Sequence, residues 1–288
     1  MFNMNPYIKF VADNVKLIEE AKALQLGGFS PLPRPEIPAD APTTLFFSPH
    51  PDDECISGAL ALRIAREAKL KLINVAVTLG SKRERQLERL KELQAACDYL
   101  GYGLQTTGSR GLEKVTPRTR RSDPPLWAEM VQVIADILTK HHPRVIFFPH
   151  DRDWNGTHLG VHHLVLDALR KMPADFECYT VETEFWGAMD DPNLLIEVSE
   201  HDLADLIAAT TFHVGEVKRN PYHLLLPAWM MDNVRRGAEI VGGQGGAAPD
   251  FKFATLYRLQ KWTKGATVNV FEGGRQLPTR LNVGTLFP

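Results

Sequence analysis

Short apolar runs separated by longer amphipathic segments recur along the first half of the chain. Three of these runs are dominated by aliphatic and aromatic side chains: TTLFFS (43–48), LKLINVAVT (70–78) and RVIFFP (144–149). Such runs are typical of strands that are buried on both faces of a parallel sheet. Their alternation with helical segments predicts an α/β fold with a Rossmann-like, doubly wound and mostly parallel sheet flanked by helices.

The segments between these runs have the composition and end signals of helices. Gly101 is placed to end one of them, and two prolines are placed to begin another. Further along the chain the pattern predicts two strands and a helix. The predicted helices are 57–69, 82–101, 124–142 and 201–218, and the later strands are 176–186 and 194–198.

The distribution of proline and glycine suggests where the domain begins. The first 25 residues form an amphipathic pattern, and the proline-rich stretch GGFSPLPRPEIPADAP (27–42) reads as an extended surface connector. We therefore predict an N-terminal helix and connector over residues 1–40 and a single domain over residues 41–288. The glycine-rich stretch 242–250 is predicted to be a loop.

Composition narrows the class of protein and partner. Apolar residues make up 44% and charged residues 24% of 288 residues, and the net charge is −2, which argues against nucleic acid as a partner. No apolar run approaches the roughly 20 residues of a membrane span, so we predict no membrane insertion and a cytoplasmic location. Three scattered cysteines argue against a disulfide framework. Whether the chain forms a homo-oligomer is left open.

Side chains that commonly bind metals follow two of the predicted strands. The first cluster is PHPDDE (49–54) and the second is PHDRDWNGTH (149–158). In open parallel sheets the residues after the carboxyl ends of the strands face one crevice. A catalytic zinc, iron or manganese ion takes imidazole and carboxylate ligands and leaves one position for water. We therefore predict that His50, Asp53 and His158 bind a divalent metal.

Asp52 cannot easily reach the same ion as its neighbour Asp53, so it is predicted to be the general base that takes a proton from metal-activated water. The alternative for the first cluster is that its acidic side chains only complement the N-terminus of a helix. The second cluster could likewise be a polar loop, with Asn155 or Thr157 as the cap of the next helix. The occurrence of two clusters at equivalent strand ends favours the metal site.

The motif His-Pro-Asp-Asp-Glu at residues 50–54 resembles the LmbE-like or PIG-L N-acetylglucosaminyl deacetylases. Thr78, Gly80 and the pair Arg89 and Glu92 agree with the same family, and the likeness extends roughly over residues 43–240. The resemblance implies an LmbE-like fold, the same metal ligands and base, and usually zinc. It also implies removal of an acetyl group from a small N-acetylated amino sugar or sugar conjugate.

The chain departs from this family at 155–158, where Asn-Gly-Thr-His replaces the common His-Pro-Asp-His. The sequence therefore does not single out one residue as the general acid. The alternatives are His150, Asp151, Asp153 and His162. Two histidines are predicted to be catalytic and three further side chains to contact substrate. The histidines are His162 and His213, and the substrate contacts are Arg89, Asp153 and Asn155.

Two other functions are compatible with the same residues. Two histidines and one carboxylate also form the facial triad of mononuclear iron oxygenases, although an α/β pattern is unlike the β-barrels that usually carry it. A sugar-binding or inactive relative could keep the metal loop without the chemistry. The predicted function is a zinc-dependent N-deacetylase, with iron or manganese as other possible metals.

Overall fold

The computed structural model describes residues 5–288, and its secondary structure alternates strands and helices in the predicted way. Its strands are β1 Thr43–Ser48, β2 Lys71–Ala76, β3 Gly103–Thr106, β4 Val145–Pro149, β5 Cys178–Thr183, β6 Leu194–Val198, β7 Phe253–Thr263, β8 Ala266–Asn269 and β9 Arg275–Leu277. Its helices are α1 Tyr7–Ala21, α2 Asp53–Ile56, α3 Ala59–Arg63, α4 Gln86–Leu100, α5 Pro117–Ser122, α6 Pro124–His141, α7 Gly156–Leu169, α8 Glu200–Thr210, α9 Val214–Arg219 and α10 Leu226–Ile240.

Within residues 5–288 the strands form one nine-stranded sheet with the order β3-β2-β1-β4-β5-β7-β6-β9, and β8 pairs with β7. The first five of these strands are parallel. β7 is antiparallel to both of its neighbours and lies between β5 and β6. The predicted α/β fold, a mostly parallel sheet flanked by helices, is confirmed.

The strand order reverses between β1 and β4, which are direct neighbours in the sheet. From β1 the chain winds outward to β2 and β3, and it then returns to place β4 on the other side of β1. In open α/β sheets, ligands bind at such a reversal, outside the carboxyl ends of the strands. The two polar clusters lie at this point, because one follows β1 and the other follows β4.

Local signals in the sequence set several of the helix ends. α4 ends at Gly101, which adopts the left-handed conformation with φ 81°, as predicted. Asp123 caps α6, whose first two residues are the predicted prolines. The predicted helix over 201–218 is instead two helices, α8 and α9, separated by a break that ends at His213. Between the predicted helices 82–101 and 124–142 the structure also has β3 and the short helix α5, for which the sequence pattern gave no prediction.

The N-terminal segment differs in its packing from the rest of the chain. No residue of α1 is buried. The connector that follows contains no helix or strand, but its Phe29 and Leu32, and Leu26 just before it, pack against the main core. Within residues 5–288, no helix has both the length and the apolar character needed to cross a membrane.

Candidate metal and active site

The loop after β1 presents its polar side chains from an unusual backbone conformation. Asp52 has φ 122° and ψ −26°, in the region that favours glycine, and such a residue costs on the order of 1–3 kcal/mol. Asp53 begins α2 directly after it. The two aspartates have different hydrogen-bond partners: Asp52 Oδ2 accepts from Tyr222 Oη, and Asp53 Oδ2 accepts from the backbone N–H of His50.

The three predicted ligands converge on one point. His50 Nδ1 lies 3.2 Å from His158 Nε2 and 3.6 Å from Asp53 Oδ2, and His158 Nε2 lies 3.4 Å from Asp53 Oδ2. Ligand atoms about 2.1 Å from a tetrahedral zinc ion are separated by about 3.4 Å. Two imidazoles and one carboxylate at these distances therefore fit a divalent metal.

Side chains around these three residues fix their orientation. Asp153 Oδ2 lies 3.3 Å from His158 Nδ1, on the ring nitrogen opposite the one that faces His50. A carboxylate in this place orients a metal-binding histidine and makes it a stronger ligand. Burial alone would raise the pKa of Asp53, but the charge of His158, followed by His50, lowers it well below its usual range.

Asn155, which stands where the family has its first histidine, is the cap of α7. Its Oδ1 accepts a hydrogen bond of 2.8 Å from the backbone N–H of Thr157. Asn155 therefore caps α7, as the alternative interpretation of the second cluster predicted. The same residue also lines the cleft that holds His50 and Asp52.

The carboxylate of Asp52 is held by two side chains from distant parts of the chain. Tyr222 Oη donates a hydrogen bond of 2.6 Å to Asp52 Oδ2. Arg89 Nη2 lies 3.7 Å from the same oxygen and donates a hydrogen bond of 2.8 Å to the carbonyl of Pro51. Burial, with the charge of Asp53 second, raises the pKa of Asp52 to about 6.

Glu54 and His213 form a fully enclosed pair beneath Asp52. Both side chains are 0% exposed, and His213 Nε2 lies 2.8 Å from Glu54 Oε1. The other oxygen, Glu54 Oε2, accepts a hydrogen bond of 3.0 Å from the backbone N–H of Asp52. The pair therefore holds the backbone of Asp52 in its strained conformation.

The other candidate acids of the second cluster do not reach the cleft. His162 is buried, and its Nδ1 donates a hydrogen bond of 2.9 Å to the carbonyl of Pro149. His150 is also buried and bonds through Nε2 to the carbonyl of Gly187, and Asp151 is bound by Arg258. None of these three residues is part of the lining of the cleft beside the predicted ligands.

The cleft beside the ligands has a volume of about 640 Å³. It extends past Asp52 between α9 and the loop that precedes α5. Trp186, whose side chain is half-exposed, lies on its wall. An exposed indole is a suitable surface for the apolar face of a sugar ring. Its lining includes His50, Asp52, Arg89, Asn155, Trp186 and Tyr222.

Sequence reasoning missed several residues of this site or their roles. Tyr222 was not among the predicted site residues, and Glu54 was only one member of the acidic cluster. Nothing in the local sequence indicates that Tyr222 bonds to a carboxylate 170 residues away. The motif itself was the available signal for Glu54, because it places a third acidic residue directly after the two aspartates.

Comparison with known families confirms the resemblance seen in the sequence. The profile described as "PIG-L: GlcNAc-PI de-N-acetylase" matches residues 45–169. This segment begins in β1 and ends with α7, so it contains both polar clusters and all three predicted ligands. No match was found among curated protein sequences.

Solved structures with the same fold include two deacetylases. The A40926 pseudoaglycone deacetylase Dbv21 has a TM-score of 0.55 at 18% identity, covering 79% of this chain and 100% of that chain. The N,N'-diacetylchitobiose deacetylase from Pyrococcus horikoshii has a TM-score of 0.54 at 15% identity, covering 90% and 94%. The LmbE-like fold predicted from the sequence is therefore confirmed.

A third similar structure has a different reaction. GalB, the 4-carboxy-2-hydroxymuconate hydratase from Pseudomonas putida KT2440, has a TM-score of 0.53 at 15% identity, covering 76% of this chain and 95% of that chain. At such identities the likeness shows the fold alone. The reaction of this chain has to be argued from its own site.

Proposed function

We propose, from the PIG-L match and the geometry of the site, that this chain is a metal-dependent hydrolase that removes an acetyl group from an N-acetylated amino sugar or sugar conjugate. One observation carries the proposal. His50, Asp53 and His158 converge within 3.2–3.6 Å, and Asp52 lines the same cleft as His50. Two similar folds belong to enzymes named as deacetylases, which supports the same reaction class.

The three ligands would hold zinc, iron or manganese, which would polarise the acetyl carbonyl and lower the pKa of water at the site. Asp52 then takes the proton of the water that attacks the amide carbon. Tyr222 and Arg89 hold the carboxylate of Asp52, which lines the cleft. Acetate and a free amine are the products.

We assign the second proton transfer to Asp52 as well. Among the described residues that line the cleft, His50 is the only histidine, and we use it as a ligand. His162 and His213 are enclosed and bonded to other groups, which favours structural roles for both. Asp52, having taken a proton, can return it to the leaving amine, because the same carboxylate lies beside the scissile bond in both steps.

The three predicted substrate contacts are assigned different roles. Asp153 lies behind His158, so we propose that it positions this ligand and does not contact the substrate. Asn155 and Arg89 line the cleft and remain proposed substrate contacts. Trp186 is the proposed surface for stacking of a sugar ring.

Acetate release tests the proposal directly. Protein loaded separately with zinc, iron or manganese is incubated with a panel of N-acetylated amino sugars and conjugates, beside chelated protein. Asp52→Asn should lower kcat by roughly 10²–10⁴-fold while bound metal, measured by mass spectrometry, stays at the wild-type level. Asp136→Asn, a change at an exposed carboxylate of α6, is the matched control and should leave kcat unchanged.

The other outcomes identify the rival functions. Metal-dependent acetate release that Asp52→Asn does not affect would remove the assignment of the base. Binding of sugars without acetate release would indicate a binding protein. Turnover that requires oxygen and 2-oxoglutarate would indicate an iron oxygenase, and hydration of a carbon–carbon double bond would place the chain with the hydratase.

A further inference from the structure

A small recess opens from the cleft on the side of α9. Its volume is about 100 Å³. Four of its side chains carry a positive charge and one carries a negative charge. The lining residues are Leu79, Ser81, Lys82, Arg85, Arg89, Glu216 and Arg219.

The carboxylate of Glu216 is shared among three guanidinium groups. Arg85 Nη1 lies 2.8 Å from it and Arg89 Nε lies 3.9 Å from it, and Arg219 also forms a hydrogen bond with it. A single carboxylate cannot neutralise three guanidiniums. Lys82 adds a further positive charge, and in the described part of the chain no carboxylate lies within ion-pair distance of it.

Hydrogen-bonding capacity is also left over in the recess. Arg89 Nε is buried and has no hydrogen-bond partner, although a buried guanidinium N–H normally has one. Two further carboxylates lie within 4 Å of these guanidiniums: Asp52, 3.7 Å from Arg89 Nη2, and the exposed Glu88, 3.9 Å from Arg85 Nε. Among the groups within 4 Å of one another, together with Lys82, four positive charges therefore face three negative ones.

The recess and the catalytic cleft are continuous. Ser81, Arg89, Glu216 and Arg219 line both of them. Arg89 in particular bonds to the carbonyl of Pro51 in the loop that carries Asp52. A group bound in the recess would therefore belong to the same molecule that reacts beside Asp52.

We infer that the recess binds an anionic group of the substrate, a phosphate or a carboxylate, so that the substrate class is an acidic N-acetylated sugar. This inference rests on the proposed deacetylase function for its sugar. Guanidinium groups are the side chains best suited to phosphate and carboxylate, because they donate two parallel hydrogen bonds. The chain as a whole has a net charge of −2, so the attraction is local to this recess.

Binding of inorganic phosphate tests the recess without turnover. Calorimetric titrations use metal-loaded and chelated protein, each as wild type, Arg219→Gln and Arg235→Gln. Arg235 is the matched control, because both arginines are exposed and pair with an acidic residue three positions earlier. We expect binding in both forms of the protein, at least about fivefold weaker in Arg219→Gln and unchanged in Arg235→Gln.

Acetate release then compares three substrates: N-acetylglucosamine, N-acetylglucosamine 1-phosphate and N-acetylmuramic acid, which carries a carboxylate. We expect kcat/KM to be at least about tenfold higher for one of the acidic sugars, and the preferred one identifies the anion. In Arg219→Gln this ratio of acidic to neutral substrate should fall several-fold, whereas in Arg235→Gln it should not change.

The two proposals fail in different ways. Anion binding in the recess is refuted if phosphate binds only to metal-loaded protein, or if it binds Arg219→Gln as tightly as wild type. A preference for the neutral sugar also refutes it. Acetate release without a preference for acidic sugars would support the deacetylase function and refute the proposed acidic substrate class. Phosphate binding that depends on Arg219, without acetate release from any substrate, would support the anion site and refute the deacetylase function.

Discussion

Replacing His213 with leucine should destabilise the protein through the charge that it leaves behind. His213 and Glu54 are both 0% exposed, so leucine would leave the Glu54 carboxylate without its imidazole partner in a site closed to water. Burial alone would lower the pKa of His213, but the charge of Glu54, followed by that of Asp52, raises it. The pair is therefore held together by charge as well as by the 2.8 Å hydrogen bond.

The expected magnitude follows from the enclosure. Removing one member of a buried ion pair costs about 3–5 kcal/mol, much of it from the uncompensated charge that remains. For a chain of this size, we expect Tm to fall by roughly 10 °C. The backbone N–H of Asp52 is bonded to the same carboxylate, so the position of Asp52 should change and kcat should also fall.

Denaturant unfolding of four proteins tests this reasoning: wild type, His213→Leu, Glu54→Gln and the double variant. Glu54→Gln replaces the charge with a neutral amide, which is buried more cheaply. The double variant should therefore be more stable, by about 2 kcal/mol or more, than the sum of the single changes predicts. His201→Leu, at an exposed histidine of α8, is the control. Additivity within about 0.5 kcal/mol would refute the charged pair.

Three further changes test other parts of the site. Tyr222→Phe removes a hydrogen bond that lowers the pKa of Asp52, so the acidic limb of the kcat/KM profile should move to higher pH with metal content unchanged. Asp153→Asn should weaken metal affinity by about 10–100-fold, measured by competition with a chelator, because His158 loses its orienting carboxylate; unchanged affinity would remove this role. Burial lowers the pKa of His162 from 6.5 to about 4. As the pH falls from 7, His162 therefore takes up a proton in the unfolded chain at a higher pH than in the folded protein, and the free energy of unfolding decreases. His162→Gln should therefore reduce the loss of unfolding free energy between pH 7 and pH 5 by about 2 kcal/mol, and an unchanged loss would mean that His162 does not carry it.

The fold and the proximity of His50, Asp53 and His158 could be predicted because their determinants are local or topological. The runs at β1, β2 and β4 are apolar because parallel strands are covered on both faces. The meeting of His50 with His158 follows from the reversal of strand order between β1 and β4, although 108 residues separate them. A motif at each strand end was enough to predict that these three side chains lie together.

The supporting contacts could not be predicted because they depend on how later segments fold over the sheet. Tyr222 reaches Asp52 only because a short turn after α9 lies against the loop that follows β1. The helix predicted across His213 is interrupted because this residue leaves the helical conformation, with φ −79° and ψ 58°, and its ring pairs with Glu54. The apolar periodicity of α8 and α9 contains no sign of that bond.

The place of β7 in the sheet has a consequence for how the chain is made. β5 and β6 are close in sequence, but they are joined in the sheet only through β7, which comes about 55 residues after β6. While the ribosome is still translating that stretch, both strands have unsatisfied backbone edges of the kind that invite pairing with other chains. At about 5–20 residues per second, this exposure lasts for several seconds. Chaperone demand during synthesis should therefore be concentrated between the emergence of β6 and that of β7.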